Sequence, residues 1–341
     1  MLFKLLHARW FQLMILCIVL GFIVYMINNN FTARLNIFTL MRGLVVPGIM
    51  IVAVGPLLAG GGIDLAASAE ATLGSLIFVN LLIYTYLPWP VALILAMIAG
   101  GVFGLVNVFL VNVMNFHAFI ATIGMTSVYL GFSDMWTGRF DVMIRHETSV
   151  GLRANVIEVG RMTMANNWVP VLFLAAVILI AIYVYMMANT RFGRSIYMVG
   201  GNPAAARLAG LNPKRVRAIL FVNSGAMSVL AGCAWAMQNR MAQSTGLITL
   251  MPNFTALTAV IIGGVSFMGG SGTLAAGFFG MVLVRVFDNG LMWLGFNPYI
   301  NTAAQGMILI IALIVDNIGV MRQRRALIAA AMATVDKKSK A

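Results

Sequence analysis

The sequence predicts an all-α, polytopic integral membrane protein with about ten transmembrane helices. Of its 341 residues, 61% are apolar and only 9% are charged, and the mean hydropathy is +0.96. A soluble domain carries roughly 25% charged residues and a disordered chain has low hydrophobicity, so both classes are excluded. The two cysteines, Cys17 and Cys233, lie inside apolar runs, which excludes a disulfide scaffold.

Ten apolar stretches, each bordered by polar residues or by proline and glycine, account for most of the chain. A helix needs about 20 apolar residues to cross the hydrocarbon region, so the second and eighth stretches are short for full spans. The ten stretches are 11–27, 44–59, 66–86, 91–113, 118–136, 169–188, 216–237, 254–267, 273–293 and 300–320.

Basic residues predict the orientation of these spans. Alternation from a cytoplasmic N-terminus places 14 of the 22 Lys and Arg residues inside and 7 outside, with Arg285 within a span. Because cytoplasmic connections carry the basic excess, we expect both termini in the cytoplasm. A re-entrant eighth stretch would put the basic tail outside and is less favoured. The first stretch follows Lys4 and Arg9 as in a signal peptide, but asparagines 28–30 replace a cleavage site, which indicates a retained helix.

The predicted organisation is a transmembrane domain over 1–321, with a cytoplasmic loop at 189–215 inside it, and a solvated cytoplasmic tail over 322–341. Glycine clusters at 54–65 and 260–272 suggest two loosely related halves with broken helices near the centre. Such interrupted segments are typical of a transport pathway, since freed backbone groups must face protein or water. Alternatively, these glycines serve only close helix packing.

Enzymatic chemistry is absent from the sequence. No phosphate-binding G-x-x-x-x-G-K-[ST] motif occurs, so any ATP is hydrolysed on another subunit. His7, His117 and His146 are scattered, and they predict no metal site, catalytic residue or cofactor. The G-x-G-x-x-A pattern at 270–275 lies between membrane segments rather than in a nucleotide-binding fold. In a membrane protein the net charge of +13 reflects orientation and calls for no nucleic acid.

Ionisable residues within the spans are the candidate functional groups, because a charge at the bilayer centre costs at least about 2.5 to 3.5 kcal/mol. Arg285 and Asp288 are three residues apart on one helical face, which favours an internal ion pair over substrate contact. Glu70 lacks a local partner and is predicted to pair with Arg285 or, alternatively, to bind a hydroxylated solute. Asp64 lies just before the predicted helix that contains Glu70.

The cytoplasmic loop encodes a short helix between glycine and proline residues. Asn202 is a good N-cap, Pro203 suits the first turn, and Gly210 can end the helix in the left-handed conformation. A helix this short is marginal in water and needs a packing partner. That partner is either the protein's own spans or a groove in a soluble protein.

Several motifs, in order along most of the chain, resemble the permease subunits of bacterial ATP-binding-cassette importers for monosaccharides, most closely the ribose and galactose type. They are T-R-F-G-R at 190–194, V-G-G-N-P-A-A-A-R-L-A-G-L-N at 199–212, G-G-I-D-L at 61–65, F-I-A-T-I-G-M at 119–125, I-G-G-V-S-F-M-G-G-S-G-T at 262–273 and D-N-G-L at 288–291.

The resemblance implies that the helix in the 189–215 loop couples the permease to an ATPase subunit. It also implies a second permease, identical or paralogous, a periplasmic binding protein and a place in the inner membrane lipid. The predicted coupling residues are Asn202, Pro203, Ala206, Arg207 and Gly210. The residues hypothesised to line the path of a small-molecule solute are Gly61, Gly62, Asp64, Glu70, Phe119, Thr122, Gly264, Arg285, Asp288 and Asn289.

The sequence departs from the resemblance at three places. After G-G-I-D-L the relatives usually continue with a small-residue stretch of the S-V-G type, whereas this chain has A-A-S-A followed by Glu70. Asp288 stands where paired asparagines are usual, and Arg285 stands where a small or apolar residue is usual. These differences leave open a charged polyol, a sugar derivative, a nucleoside-like solute and a heterodimer. The alternative class is a stand-alone transporter with Asp64 and Glu70 as proton carriers. The outer loop 138–168 suits either a solvated surface or docking of a periplasmic protein.

Overall fold

The computed structural model describes residues 8–85, 87–144, 154–166, 168–244, 250–297, 300, 303–314, 317–318 and 321. Over these residues the protein is mainly helical, and a helix occupies each of the ten predicted stretches. The all-α prediction is therefore confirmed. The predicted tail 322–341 lies outside the described part of the chain.

The described part of the first half contains six long helices and one short one. A 3₁₀ turn, Asn29–Thr32, joins the first two, and a π turn, Phe109–Val113, extends the fourth. The helices are α1 (Arg9–Ile27), α2 (Arg34–Ala59), α3 (Ala67–Tyr84), α4 (Trp89–Val108), α5 (Ala118–Thr137), α6 (Ala154–Arg161) and α7 (Val171–Asn189).

The second half opens with two shorter helices and returns to long ones. Its helices are α8 (Arg191–Gly201), α9 (Pro203–Leu208), α10 (Pro213–Asn239), α11 (Leu250–Ile262), α12 (Leu274–Trp293) and α13 (Ala303–Ile314). Four two-residue strands form two antiparallel pairs in the connections. They are β1 (Val142–Met143) with β4 (Met241–Ala242), and β2 (Thr163–Met164) with β3 (Val169–Pro170).

Within the described residues, 7 helices are long and apolar enough to cross a membrane. They are α1, α2, α3, α4 with its π turn, α7, α10 and α12. Helix α5 is not among them, and α11 and α13 are shorter. A multi-pass membrane protein is confirmed, whereas the predicted total of ten spans is not.

Helix α2 is longer than the predicted stretch 44–59, because it begins at Arg34 and runs through Pro47 and Pro56 without a break. Its polar first turns are stabilised by partners within the protein. The amide of Asn36, for example, donates to the Phe31 carbonyl oxygen at 2.7 Å. The predicted interruption therefore falls at the end of α2 rather than inside it.

The two halves end matching helices in the same way. After α2, the N–H of Gly61 donates to the Leu58 carbonyl and that of Gly62 to Leu57. After α11, the N–H of Gly264 donates to Ile261 and that of Val265 to Val260. Both are Schellman caps with glycine in the left-handed region, at φ of +74° and +86°. This shared cap supports the predicted relation between the halves.

Helix α10 lies at the centre and packs against α2, α3 and α4. Glycine lets these backbones approach each other, as is common between membrane helices. A Cβ atom added to Gly104 would lie 2.3 Å from the Phe221 carbonyl oxygen, and one added to Gly225 would lie 2.1 Å from that of Gly100. The α4–α10 contact therefore has no room for a side chain at these positions.

Two groups of connecting segments meet at opposite ends of the helix bundle. The predicted alternation of spans assigns these groups to opposite sides of the membrane. At one end, Arg34 donates to the Asn166 carbonyl and stacks over the Trp168 ring, and β1 pairs with β4. At the other end, Gly61 meets the backbone of Gly200 in the 189–215 loop. The two groups lie at opposite ends of α2, which begins at Arg34 and ends at Ala59.

The α4–α10 contact makes a stability prediction. Gly104→Ala should lower the free energy of unfolding by about 1–3 kcal/mol, because its Cβ would collide with backbone atoms of α10. Thermal unfolding of the purified protein in detergent measures the effect. The matched control is Gly124→Ala on α5, where nothing lies within 4 Å of the added Cβ. Equal unfolding temperatures for the two variants would contradict the prediction.

Candidate coupling surface and buried polar sites

The 189–215 loop folds into two helices rather than one. The Thr190 hydroxyl caps α8 by accepting from the Gly193 N–H at 3.1 Å, and Ile196 and Val199 are fully buried. Burial also raises the pKa of the half-buried Tyr197 above its ordinary value, so its hydroxyl stays neutral. The sequence interpretation missed α8, although the spacing of Gly193, Ile196 and Val199 on one face indicates an amphipathic helix.

Helix α9 forms at the predicted place and with the predicted cap. The Asn202 side-chain oxygen accepts from the N–H groups of Ala204 and Ala205, both at 3.0 Å. Pro203 occupies the first turn, and Gly210 follows the helix at φ +82°. The six-residue helix is thus closed at both ends.

One side of α9 packs on the protein and the other side is free. Ala206 is buried at 1% exposure, and its carbonyl accepts from the Leu211 N–H at 3.0 Å. Arg207 and Leu208 face outward, and Leu208 is 92% exposed. The sequence left two packing partners open for this helix, the protein's own spans and a groove in a soluble protein. The buried side of α9 fits the first, and the exposed side leaves room for the second.

Glycines join the loop to the ends of α2 and α11. The Gly270 N–H donates to the Ala59 carbonyl at 2.8 Å. A Cβ added to Gly200 would lie 2.0 Å from the same carbonyl oxygen, and one added to Gly269 would lie 2.8 Å from the Gly61 backbone. We call Ala59, Gly61, Gly200, Gly269 and Gly270 the glycine junction. It connects α8 to the bundle through backbone atoms alone.

Asp64 lies just beyond the glycine junction, 1% exposed, beside α10. One carboxyl oxygen accepts from the Ala66 N–H at 2.9 Å and the other from the Ser224 hydroxyl at 2.7 Å. These donors stabilise a carboxyl group inside the bundle, immediately before the start of α3. Ser224 was missed from the sequence, although a hydroxyl within a membrane helix generally needs a protein partner.

Glu70 is a residue of α3, is fully buried and faces α4. Its Oε1 accepts from the amide Nδ2 of Asn107 at 3.0 Å, and Asn107 is itself 0% exposed. The predicted pair between Glu70 and Arg285 is wrong, because no nitrogen of Arg285 lies within 4.0 Å of the Glu70 carboxyl. The polar Asn107 inside an apolar stretch was the available signal for the actual partner.

The α2–α12 contact holds the remaining charged candidates. Asn289 and Asn36 exchange two amide hydrogen bonds, both at 2.9 Å. Asp288 accepts from the Gln305 amide at 2.6 Å. Arg285 and Asp288 form no salt bridge within 4.0 Å, but the two charges lie close enough to attract each other, so the predicted pairing holds only at longer range.

The direct contacts of the Arg285 side chain are with α2 rather than with Asp288. Its guanidinium covers Gly43, where an added Cβ would lie 1.9 Å from the arginine Nη2 atom. Gly43 therefore makes the space that the arginine side chain occupies. Asn36, Gly43 and Gln305 were not identified from the sequence.

Phe119 lines a cavity of about 450 Å³ between α5, α11 and α13. Thr126 also lines it, and the Thr126 hydroxyl donates to the Leu65 carbonyl at 3.1 Å. Thr122 is fully buried, and its hydroxyl donates to the Ala118 carbonyl of its own helix at 2.9 Å. The cavity walls are mostly apolar.

The predicted path residues thus fall into separate places. Gly61 belongs to the glycine junction, Gly62 packs on Leu57, and Gly264 lies against Arg9 at the start of α1. Within the described residues, no group of three or more His, Cys, Asp or Glu residues could hold a metal ion.

Residues 41–313 match the family model described as a branched-chain amino acid transport system / permease component. The chain belongs to this permease family. It is therefore a transmembrane transport component.

Curated relatives cover most of the chain. The ribose import permease of Haemophilus influenzae is 28% identical over 88% of this chain and 90% of its own length. The galactose/methyl galactoside import permease of the same organism is 27% identical, with coverages of 92% and 94%. The fructose import permease of Rhizobium meliloti is 27% identical, with coverages of 91% and 86%. No solved structure matches the chain.

The glycine junction makes a prediction for this permease. Gly200→Ala should strongly reduce solute uptake, because its Cβ would displace α8 from the Ala59 carbonyl. Gly201→Ala is the matched control, since its nearest neighbour, the Gly270 Cα, lies 3.7 Å away. Uptake is measured in cells with equal amounts of each variant in the membrane. Equal loss in both variants would show that the junction does not depend on backbone contact.

Proposed function

We propose that this chain is the permease subunit of an ATP-binding-cassette importer that moves a monosaccharide across the bacterial inner membrane. The observation that carries the proposal is α9, which is capped, seated on the bundle by Ala206 and free on its outer side. A separate subunit hydrolyses ATP, and α9 docks on it. A second permease, identical or paralogous, completes the pore.

Coupling follows the chain from α9 to the interior. Movement of the ATPase displaces α9 together with α8, and α8 presses on the Ala59 carbonyl at the glycine junction. The junction continues into residues 62–66, where Asp64 is hydrogen-bonded to Ser224 on α10. The end of α2 and the start of α3 therefore move together. A partner that binds one arrangement more tightly shifts the population toward it.

The proposed solute path runs beside the cavity at Phe119, between residues 63–65 and helices α5 and α11. The volume of this cavity, about 450 Å³, falls within the range of small-molecule sites, roughly 300–1,000 Å³. Mostly apolar walls hold a polar sugar only weakly, which suits passage rather than storage. Arg285, Asp288 and Asn289 contribute to this path indirectly, by fixing α12 against α2.

The ends of the bundle suggest the orientation. We place α8, α9 and both termini in the cytoplasm, with the positively charged loop at the inner leaflet. The opposite end, with β1, β4 and the segment 154–166, then faces the periplasm. There Asp134 binds both Arg139, at 3.2 Å, and the Ser244 hydroxyl, also at 3.2 Å. This ordered surface is the proposed docking site for a periplasmic solute-binding protein.

The relatives named above support a sugar, although the family description names branched-chain amino acids. The proton-coupled alternative is not favoured. Its two carriers, Asp64 and Glu70, are 1% and 0% exposed, and both accept hydrogen bonds from neighbouring helices or loops.

The docking proposal predicts that Leu208→Asp weakens recovery of a soluble ATPase when the tagged permease is purified from its native membrane. The substitution places a charge at the most exposed apolar position of α9. Arg207→Glu should act in the same direction, because it reverses the neighbouring charge. Mass spectrometry of the retained proteins gives the measurement.

The matched control is Glu158→Lys, a charge reversal at an exposed position of α6. It should leave ATPase recovery unchanged. Failure of wild-type permease to retain any ATPase, from membranes that contain one, would refute the docking role.

The substrate is tested in proteoliposomes that hold the permease with its companion subunits. We expect ATP-dependent uptake of labelled ribose, galactose or fructose that persists when the proton gradient is collapsed. Uptake of leucine but none of the sugars would move the assignment to amino acids. Uptake that needs the proton gradient and no ATP would refute the importer class.

A further inference from the structure

The Glu70–Asn107 contact leaves two buried atoms unsatisfied. Asn107 Nδ2 donates to Glu70 Oε1 at 3.0 Å, and both residues are 0% exposed. The other oxygen of each group, Glu70 Oε2 and Asn107 Oδ1, has no hydrogen-bond partner. Both atoms act only as acceptors when the carboxyl group is ionised. Two orphaned acceptors on two groups that already share one hydrogen bond require an explanation.

The surroundings of Glu70 also lack a compensating charge. Its titratable neighbours are Asp64 and Tyr129, and no Lys or Arg nitrogen among the described residues lies within 4.0 Å of its carboxyl group. The Tyr129 hydroxyl donates to the Phe103 carbonyl at 3.0 Å and is therefore not aimed at Glu70 as a donor. An ionised Glu70 would be an unpaired charge close to a second carboxyl group inside a membrane protein.

We propose that Glu70 carries a proton on Oε2 and donates it to Asn107 Oδ1. The carboxylic acid and the amide then form a ring of two hydrogen bonds, one in each direction. A single proton satisfies both orphaned oxygens and removes the unpaired charge. Glu70 is thereby a positioning residue, a neutral clamp between α3 and α4.

Asp64 provides the contrast within the same region. Each of its oxygens accepts from a donor, the Ala66 N–H or the Ser224 hydroxyl. Glu70 receives one donor and faces an amide that can both give and accept. The two carboxyl groups thus have different chemical roles. Asp64 is held immediately before α3, beside the glycine junction, and the acid–amide ring fixes α3 itself one to two turns further on.

Glutamine is the test of this arrangement. In Glu70→Gln the Oε1 atom still accepts from Asn107, and the new Nε2–H donates to Asn107 Oδ1, so the ring is preserved without ionisation. We expect the thermal unfolding temperature and the uptake rate to match the wild type. Glu70→Ala and Asn107→Ala break the ring and should each lower the unfolding temperature by at least about 3 °C.

Infrared spectroscopy observes the proton directly. The carbonyl stretching band of a neutral carboxylic acid should be present in the purified wild-type protein at neutral and mildly alkaline pH. It should lose intensity in Glu70→Gln and keep it in a matched variant, Glu158→Gln, at the exposed surface of α6. The unfolding temperature and the infrared band can both be measured without knowing the solute.

Two results would overturn the proposal. One is a Glu70→Gln protein that is as unstable as Glu70→Ala, or that does not fold, because the isosteric ring should then have sufficed. The other is a neutral-acid band that is unchanged by Glu70→Gln. Either result would mean that Glu70 is ionised and held by a bound cation or water, and sodium dependence of the unfolding temperature would then identify the cation.

Discussion

Close backbone contact between α10 and its neighbours is the constraint on which the polar interior depends. Gly225 meets Gly100 on α4, and a Cβ on Gly232 would lie 2.0 Å from the Ala71 carbonyl oxygen of α3. At this separation Asp64 reaches Ser224 on α10, and α3 and α4, which both pack on α10, lie close enough for Glu70 to reach Asn107. Larger side chains at the glycines would separate the helices and leave buried carboxyl groups without donors, which is far more costly than the lost packing.

Local features of the chain were predictable from the sequence, because they depend on neighbouring residues. The Asn202 cap, Pro203 in the first turn and Gly210 in the left-handed region all form as the residue types predict. The glycine clusters also mark real helix ends, since Gly61 and Gly264 complete equivalent caps. Hydropathy located the helix in each of the ten apolar stretches for the same reason, as it is summed along the chain.

Partners across the bundle were not predictable, because spacing along one helix does not determine which other helix lies opposite. Arg285 and Asp288 share a face by spacing, yet Arg285 covers Gly43 and Asp288 binds Gln305. Glu70 has Asn107 rather than a basic residue. The only signals in the sequence were polar residues, such as Asn107 and Ser224, within the apolar stretches that supply the partners. Such a residue indicates that it has a partner but does not identify that partner.

The glycine junction has a mechanical consequence. Side chains that touch can change rotamer and absorb a small displacement, whereas peptide groups in direct contact have no such freedom. The Gly200 backbone rests on the Ala59 carbonyl, and that carbonyl also accepts from the Gly270 N–H. In the proposed coupling mechanism, a displacement of α8 therefore reaches two segments, from different halves of the chain, at the same time. In that mechanism the glycine junction is a stiff linkage, and the motion it transmits is set by backbone geometry rather than by the chemistry of any side chain.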